Sequence, residues 1–206
     1  MTMESFIADL PKVELHLHIE GTFEPELMLA IARRNGLPAP FPSVEAARAA
    51  YDFNDLQEFL DLYYRGMNVL LTAEDFHDLT LAYLERAHAD NVRHAEIFFD
   101  PQAHTARGVP LATVFEGILA GMAEGRRRHG ITGCLIPNFL RDLDEAAALA
   151  TFEACLAHGG EITGFGLDSA ERDNPPSKFA RVFQRVRDAG FHVVAHAGEE
   201  GPATYV

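Results

Sequence analysis

"KVELHLHIEGT", residues 12–22, places two histidines, His16 and His18, two positions apart in an otherwise apolar run. The β-rich composition makes 12–18 a strand, and alternate residues of a strand share a face. His16 and His18 are therefore expected to point one way, with Leu15, Leu17 and Ile19 pointing the other. One strand histidine is ordinarily a hydrogen-bonded core residue. Two on one face, at the C-terminal end of a strand, cost free energy unless something takes their nitrogens. A metal ion is one such partner.

Outward from this strand the chain alternates. Further β-rich runs fall at 92–99, 131–138, 161–168 and 191–196. Segments with helical periodicity lie between them, at 25–35, 74–89, 110–128, 143–157 and 177–189. Repeated β-then-α order reads as an α/β fold, a parallel sheet with covering helices. Two architectures fit: an open, doubly wound five-stranded sheet, or a TIM (β/α)8 barrel of which about the first five βα units are present. A complete barrel takes about 250 residues, and this chain has 206. The long first connection, 19–91, holds a helix at 54–71 with Leu56, Phe59, Leu60, Tyr63, Met67 and Leu70 on one face. It is expected to pack as an amphipathic helix and to wall a pocket, because it follows the C-terminal end of a strand. No linker or repeat divides residues 1–206, so one domain is expected.

Composition narrows the function. The formal net charge is −14 and the only lysines are Lys12 and Lys178. A surface that tracks phosphates needs clustered positive charge, so no nucleic-acid partner is expected. The basic run "RRRH" at 126–129 reads as the end of a helix before Gly130. Mean hydropathy is −0.06, and no apolar run approaches the ~18 residues of a membrane span. The first residues lack an export signal, so a cytoplasmic protein is expected. Cys134 and Cys155 form no motif and read as reduced core residues.

A second stretch, "VVAHAGEEG" at 193–201, closes the fifth strand with His196 and places Glu199 three residues later. Loops after strands carry the chemistry of α/β folds. Three neutral imidazoles with an acidic ligand suit zinc, and a carboxyl beside the open position can shuttle protons. Other chemistries lack their signatures: there is no HExxH, GxSxG, GxxxxGK[ST] or Pro-Cys-x-x-Cys. Strand 161–168, "EITGFGLD", has no lysine that could bridge two metals, which favours one.

Taken together, "LPKVELHLHIEGTFEPELM", "DFNDLQEFLDLYYRGMNVL", "VRHAEIFFDPQAHT" and "VVAHAGEEGP" resemble the adenosine/adenine deaminase family of metal-dependent amidohydrolases, with "HIEGT" and "DFNDLQEFLDLYY" closest to its adenine deaminase branch. The resemblance covers essentially the whole chain and implies the TIM barrel. It implies one zinc ion held by His16, His18 and His196. It also implies Glu199 as the catalytic acid that protonates a purine ring while activated water attacks the amino-bearing carbon. The small-molecule substrate read from it is adenine, giving hypoxanthine and ammonia. Adenosine or an N6-substituted adenine is the alternative, and a non-catalytic zinc-binding remnant the second. Glu20 and Gly21 are the expected substrate contacts. Glu20 stands where adenosine deaminases commonly carry aspartate, and its longer side chain would fill space a ribose otherwise takes. Glu171 stands about where those enzymes place a glycine against the purine. The family pattern expects a further histidine and an aspartate beyond residue 206, so the chain is expected to be a fragment, inactive or nearly so and poorly stable. His77, His88, His94, His104, His129, His158 and His192 match no family motif and read as surface or packing residues.

Overall fold

The computed structural model describes residues 2–158 and 161–206. Five strands run in chain order: β1 (Lys12–His18), β2 (Val92–Phe99), β3 (Thr132–Leu140), β4 (Gly164–Asp168) and β5 (His192–Val193). They form one sheet ordered β1-β2-β3-β4-β5, and all four pairings are parallel. A doubly wound sheet reverses its strand order at a switch point. Here each strand is laid beside its predecessor, which is how a (β/α)8 barrel grows, and the five strands are an arc of one. The end strands of the arc leave Val13 and Leu15 exposed on β1 and Val194 exposed after β5.

Nine helices are described around the sheet. In chain order they are α1 (Met3–Asp9), α2 (Pro25–Arg34), α3 (Val44–Ala49), α4 (Leu56–Met67), α5 (Ala73–Ala89), α6 (Pro101–Thr105), α7 (Leu111–His129), α8 (Glu145–Leu156) and α9 (Ala180–Asp188). The core lies between these helices and the strand residues that face them, such as Ala95, Ile97, Leu135, Phe139, Phe165 and Leu167. Side chains added at Gly117, Gly121 or Gly125 of α7 would run into Ala73, Phe76, Thr80 or Leu84 of α5. That smooth stripe lets the two helices pack closely. α5 starts on a capping box between Thr72 and Asp75. α7 ends in its basic turn, with Gly130 at φ 72° as the left-handed cap.

Several boundaries differ from the sequence reading. The helix expected at 54–71 stops at Met67, and the one expected at 177–189 begins with a 3-10 turn, Pro176–Phe179. The fourth strand starts at Gly164 rather than 161, and the fifth is regular only over His192–Val193. Its ladder nevertheless continues, from Val194 N–H to the Phe165 carbonyl (3.1 Å) and from His196 N–H to the Leu167 carbonyl (3.0 Å).

The simple alternation expected for β1 is also corrected. The pairing with β2 slips between Glu14 and Leu17, and this bulge changes which residues face the helices. Glu14 and Leu17 both look outward into the cleft over α5, where the Tyr83 hydroxyl donates to Glu14 (2.7 Å). Leu15, expected on the face opposite the histidines with Leu17 and Ile19, is exposed, whereas those two are buried. His16 and His18 still share the inner face.

Cys134 and Cys155 are buried and free. Among the described residues, no helix is long and apolar enough to cross a membrane.

Candidate metal centre and its cavity

His16 and His18 leave the C-terminal end of β1, and His196 leaves that of β5. The Nε2 atoms of His16 and His196 lie 2.9 Å apart, those of His18 and His196 3.0 Å, and those of His16 and His18 3.2 Å. Side chains from the two edge strands of the arc thus converge, although His16 and His196 stand 180 positions apart in the chain. Phe98 of β2 backs the group. Its ring stacks on His18 (5.2 Å between centroids) and tilts against His16 (4.8 Å).

Burial and the neighbouring imidazoles push the His196 pKa down to about 4, and burial followed by His18 lowers that of His16. These rings are neutral near pH 7. Each neutral imidazole carries one proton, and acceptors stand behind two of the three in the group. His18 Nδ1 lies 3.4 Å from Asp168 Oδ2, and His196 Nδ1 lies 3.5 Å from Glu199 Oε2. The three Nε2 atoms converge on one point. That donor set fits a divalent transition metal, with the carboxylates orienting the rings from behind.

Beneath the centre lies a buried acidic network. Asp100 follows β2, Asn138 lies near the end of β3, and Asp168 ends β4. Asn138 Nδ2 donates to Asp168 (2.6 Å) and Asp100 (3.1 Å). The Tyr63 hydroxyl sits between Asp100 (3.0 Å) and Glu20 (3.2 Å). Glu20 also accepts from Asp100 N–H (3.0 Å) and from His104 Nε2 (2.8 Å). Arg107 donates to His104 Nδ1 (2.7 Å), so His104 is neutral, with its proton on Nε2 facing Glu20. Burial raises the pKa of Asp168 well above the carboxylate range, and Asp100 adds to it. Burial and Glu20 raise that of Asp100. For Glu20, burial alone would raise the pKa, but hydrogen bonds from His104 and Asp100 N–H outweigh it and hold the carboxyl below its ordinary value.

Above the network is a cavity of about 190 Å³. Leu56, Phe59, Leu60, Tyr63 and Tyr64 of α4 form one wall, as the sequence reading expected of this helix. His18, Asp100, Asp168, Ser169, His196 and Glu199 form the polar side. Gly21 also lines it, whereas the Glu20 side chain is fully buried behind. Glu199 is half-exposed at the rim, and burial, then Glu171 and Glu200, raise its pKa. Glu171 accepts from the backbone of residues 198–201 instead of facing the cavity. The sequence reading gave no polar role to Tyr63, Asp100, Asn138, Asp168 or His104. Asp100, Asn138 and Asp168 carried an available signal: each is a polar residue at or near the C-terminal end of a barrel strand.

The chain is also similar to known proteins. Residues 11–206 match the family description "Adenosine deaminase". The adenine deaminase of Cupriavidus pinatubonensis is 59% identical over 210 residues, covering 100% of this chain and 60% of the relative. That of Rhodospirillum rubrum is 58% identical over 202 residues, covering 98% and 60%. Among solved structures, adenine deaminase from Arthrobacter aurescens superposes with a TM-score of 0.91 at 55% identity, covering 95% of this chain and 60% of that one. An amidohydrolase from Burkholderia ambifaria with bound Zn gives 0.84 at 34% identity, covering 96% and 55%. The chain therefore spans about 60% of the length of the curated relatives it matches.

Proposed function

Since the chain belongs to the adenosine deaminase family, we propose that it carries the zinc-holding and proton-transferring part of a purine deaminase that converts adenine and water to hypoxanthine and ammonia. The observation that carries this reading is the convergence of three histidine Nε2 atoms beside Glu199, against an apolar, aromatic-walled cavity.

Zinc is the metal of this proposal, one ion per chain, held by His16, His18 and His196. Tetrahedral nitrogen ligands at the usual zinc distance of about 2.0–2.1 Å stand roughly 3.3 Å from one another, close to the 2.9–3.2 Å separations here. No lysine lies on β4, and Lys178 is committed to the Arg141 carbonyl (2.9 Å) and Asn174 (3.0 Å), which supports a single ion. When bound, zinc makes water nucleophilic near neutral pH.

The chain's own residues do the rest. Phe59 and Tyr63 of α4 offer flat faces to a planar base. Asp168 orients His18. Glu199 keeps its proton to higher pH than an ordinary glutamate and delivers it to a ring nitrogen as the amino-bearing carbon is attacked. Gly21 borders the base. Glu20 acts from behind it by fixing Tyr63 and Asp100. The two unpaired, buried cysteines support a reducing compartment, the cytoplasm.

Two measurements test the reading. Chelator competition on the purified chain is expected to find one zinc per chain, lost in His18→Ala. A fusion supplying the remaining two-fifths of a relative's length is expected to deaminate adenine faster than adenosine or an N6-substituted adenine. Absence of zinc binding overturns the metal centre, and faster turnover of adenosine overturns the substrate.

A further inference from the structure

β5 is regular only to Val193, and past the His196 N–H, which still bonds to the Leu167 carbonyl (3.0 Å), the stretch carrying Glu199 leaves the sheet. Two buried side chains hold it there. Glu171, from the loop after β4, is completely buried. Its Oε1 accepts from Gly198 N–H (2.7 Å), and its Oε2 accepts from Glu200 N–H (2.7 Å) and Gly201 N–H (2.8 Å). The amides on both sides of Glu199 are thus pinned to one carboxylate, a backbone nest closed on an internal anion.

Arg141, just past β3, completes the clamp. Its guanidinium is also fully buried and lies 3.6 Å from Glu171. It donates to the His196 carbonyl (2.8 Å) and to the Asn174 carbonyl (3.0 Å). The loop can come this close because Gly198 adopts φ 78° and because Gly201 has no side chain. A Cβ at Gly201 would lie 3.0 Å from the Glu171 carboxyl carbon and run into the Tyr205 ring.

A buried ion pair stabilises a fold poorly compared with apolar residues of the same volume. This pair spends its hydrogen bonds on the backbone of the two residues the site needs. We propose that Glu171, backed by Arg141, is a positioning residue that sets His196 as a metal donor and Glu199 as the proton donor. Glutamine cannot substitute, because it offers one acceptor oxygen and turns an amino group toward an N–H. Aspartate is one methylene too short.

The proposal rests on the zinc reading above, and its test separates the two. Chelator competition with zinc and amide hydrogen exchange are measured on the 206-residue chain, wild type and Glu171→Gln. In the variant, exchange at Gly198, Glu200 and Gly201 is expected to speed up at least about tenfold, with α5 and α7 unchanged. Zinc affinity is expected to fall about 10-fold or more, the scale for partners that orient metal ligands. A folded variant with wild-type exchange, or with faster exchange and unchanged zinc affinity, overturns the clamp. A wild-type chain that binds no zinc overturns the metal reading, and the clamp with it. If Glu171→Gln does not fold, Gly201→Ala carries the test, since its methyl would crowd the Tyr205 ring and the carboxyl carbon of an intact Glu171. Weaker zinc binding by folded Gly201→Ala supports the proposal, and unchanged binding overturns it.

Discussion

Glu20 offers the sharpest test of how the floor of the cavity is built. Alanine there withdraws one carboxylate from three donors: Asp100 N–H, His104 Nε2–H and the Tyr63 hydroxyl. Tyr63 keeps a partner in Asp100 (3.0 Å), so two buried donors are stranded. Each costs about 1–3 kcal/mol. Glu20→Ala is therefore expected to lose about 2–6 kcal/mol, a large part of the ~5–15 kcal/mol of a typical domain. In Glu20→Gln the side chain keeps an oxygen toward Asp100 and His104 and turns its amide toward the Tyr63 oxygen. It forfeits only the charge assistance, about 1 kcal/mol. Urea unfolding at pH 7 with a common slope measures both. The folded state holds the Glu20 pKa below its ordinary value. The advantage of the wild type over Glu20→Gln is thus full above the unfolded pKa of about 4.3 and shrinks as pH falls through the lower folded value. A Glu20→Ala cost below about 1 kcal/mol would refute the network, and Glu20 would then be free to face the cavity.

Two further outcomes follow from the same geometry. Asp168→Ala removes the carboxyl group behind His18 Nδ1 (3.4 Å) and is expected to weaken metal binding about 10–100-fold, read by chelator competition. Asp75 is buried and accepts from Arg34, from Asn35 (2.7 Å) and from the Leu71 and Thr72 amides (2.9 Å each). Burial opposes its ionisation, but these donors hold its pKa below the ordinary value. Its contribution is therefore complete above about pH 3.9 and lost in more acid solution. Asp75→Ala is expected to cost about 2–3 kcal/mol at pH 7, with the gap to wild type closing during acid denaturation.

The parts of the molecule legible in the sequence were those with local signatures. The HxH pair, the HAGE loop and the long helices α5 and α7 carry their period or spacing in neighbouring residues. Helices α1, α3 and α6 are seven residues or fewer, too short for a period to register. The β1 bulge was hidden because it depends on the partner strand: the period-two reading fits the histidines and fails at Leu15. Periodicity left the open sheet and the barrel equally possible, and only the family resemblance chose between them; the strand order then bore that choice out. The polar network was missed for a related reason. Asp100, Asn138, Asp168, Tyr63 and His104 are ordinary residues separately, and become a unit only when strand ends and α4 are brought together. Glu171 was noticed as a departure from a glycine, yet nothing local shows that its carboxylate is turned under the loop of residues 198–201.

The meeting of β1 with the loop after β5 also has a temporal side. Polypeptides are synthesised at about 5–20 residues per second, and His16 precedes His196 by 180 residues. On the ribosome, the first two imidazoles therefore wait roughly 10–40 s for the third. Both α5 and α7 lie between them in the chain and are synthesised within that interval. On the zinc reading proposed above, capture of the ion would follow the emergence of His196, a closing event rather than a nucleus around which the chain folds.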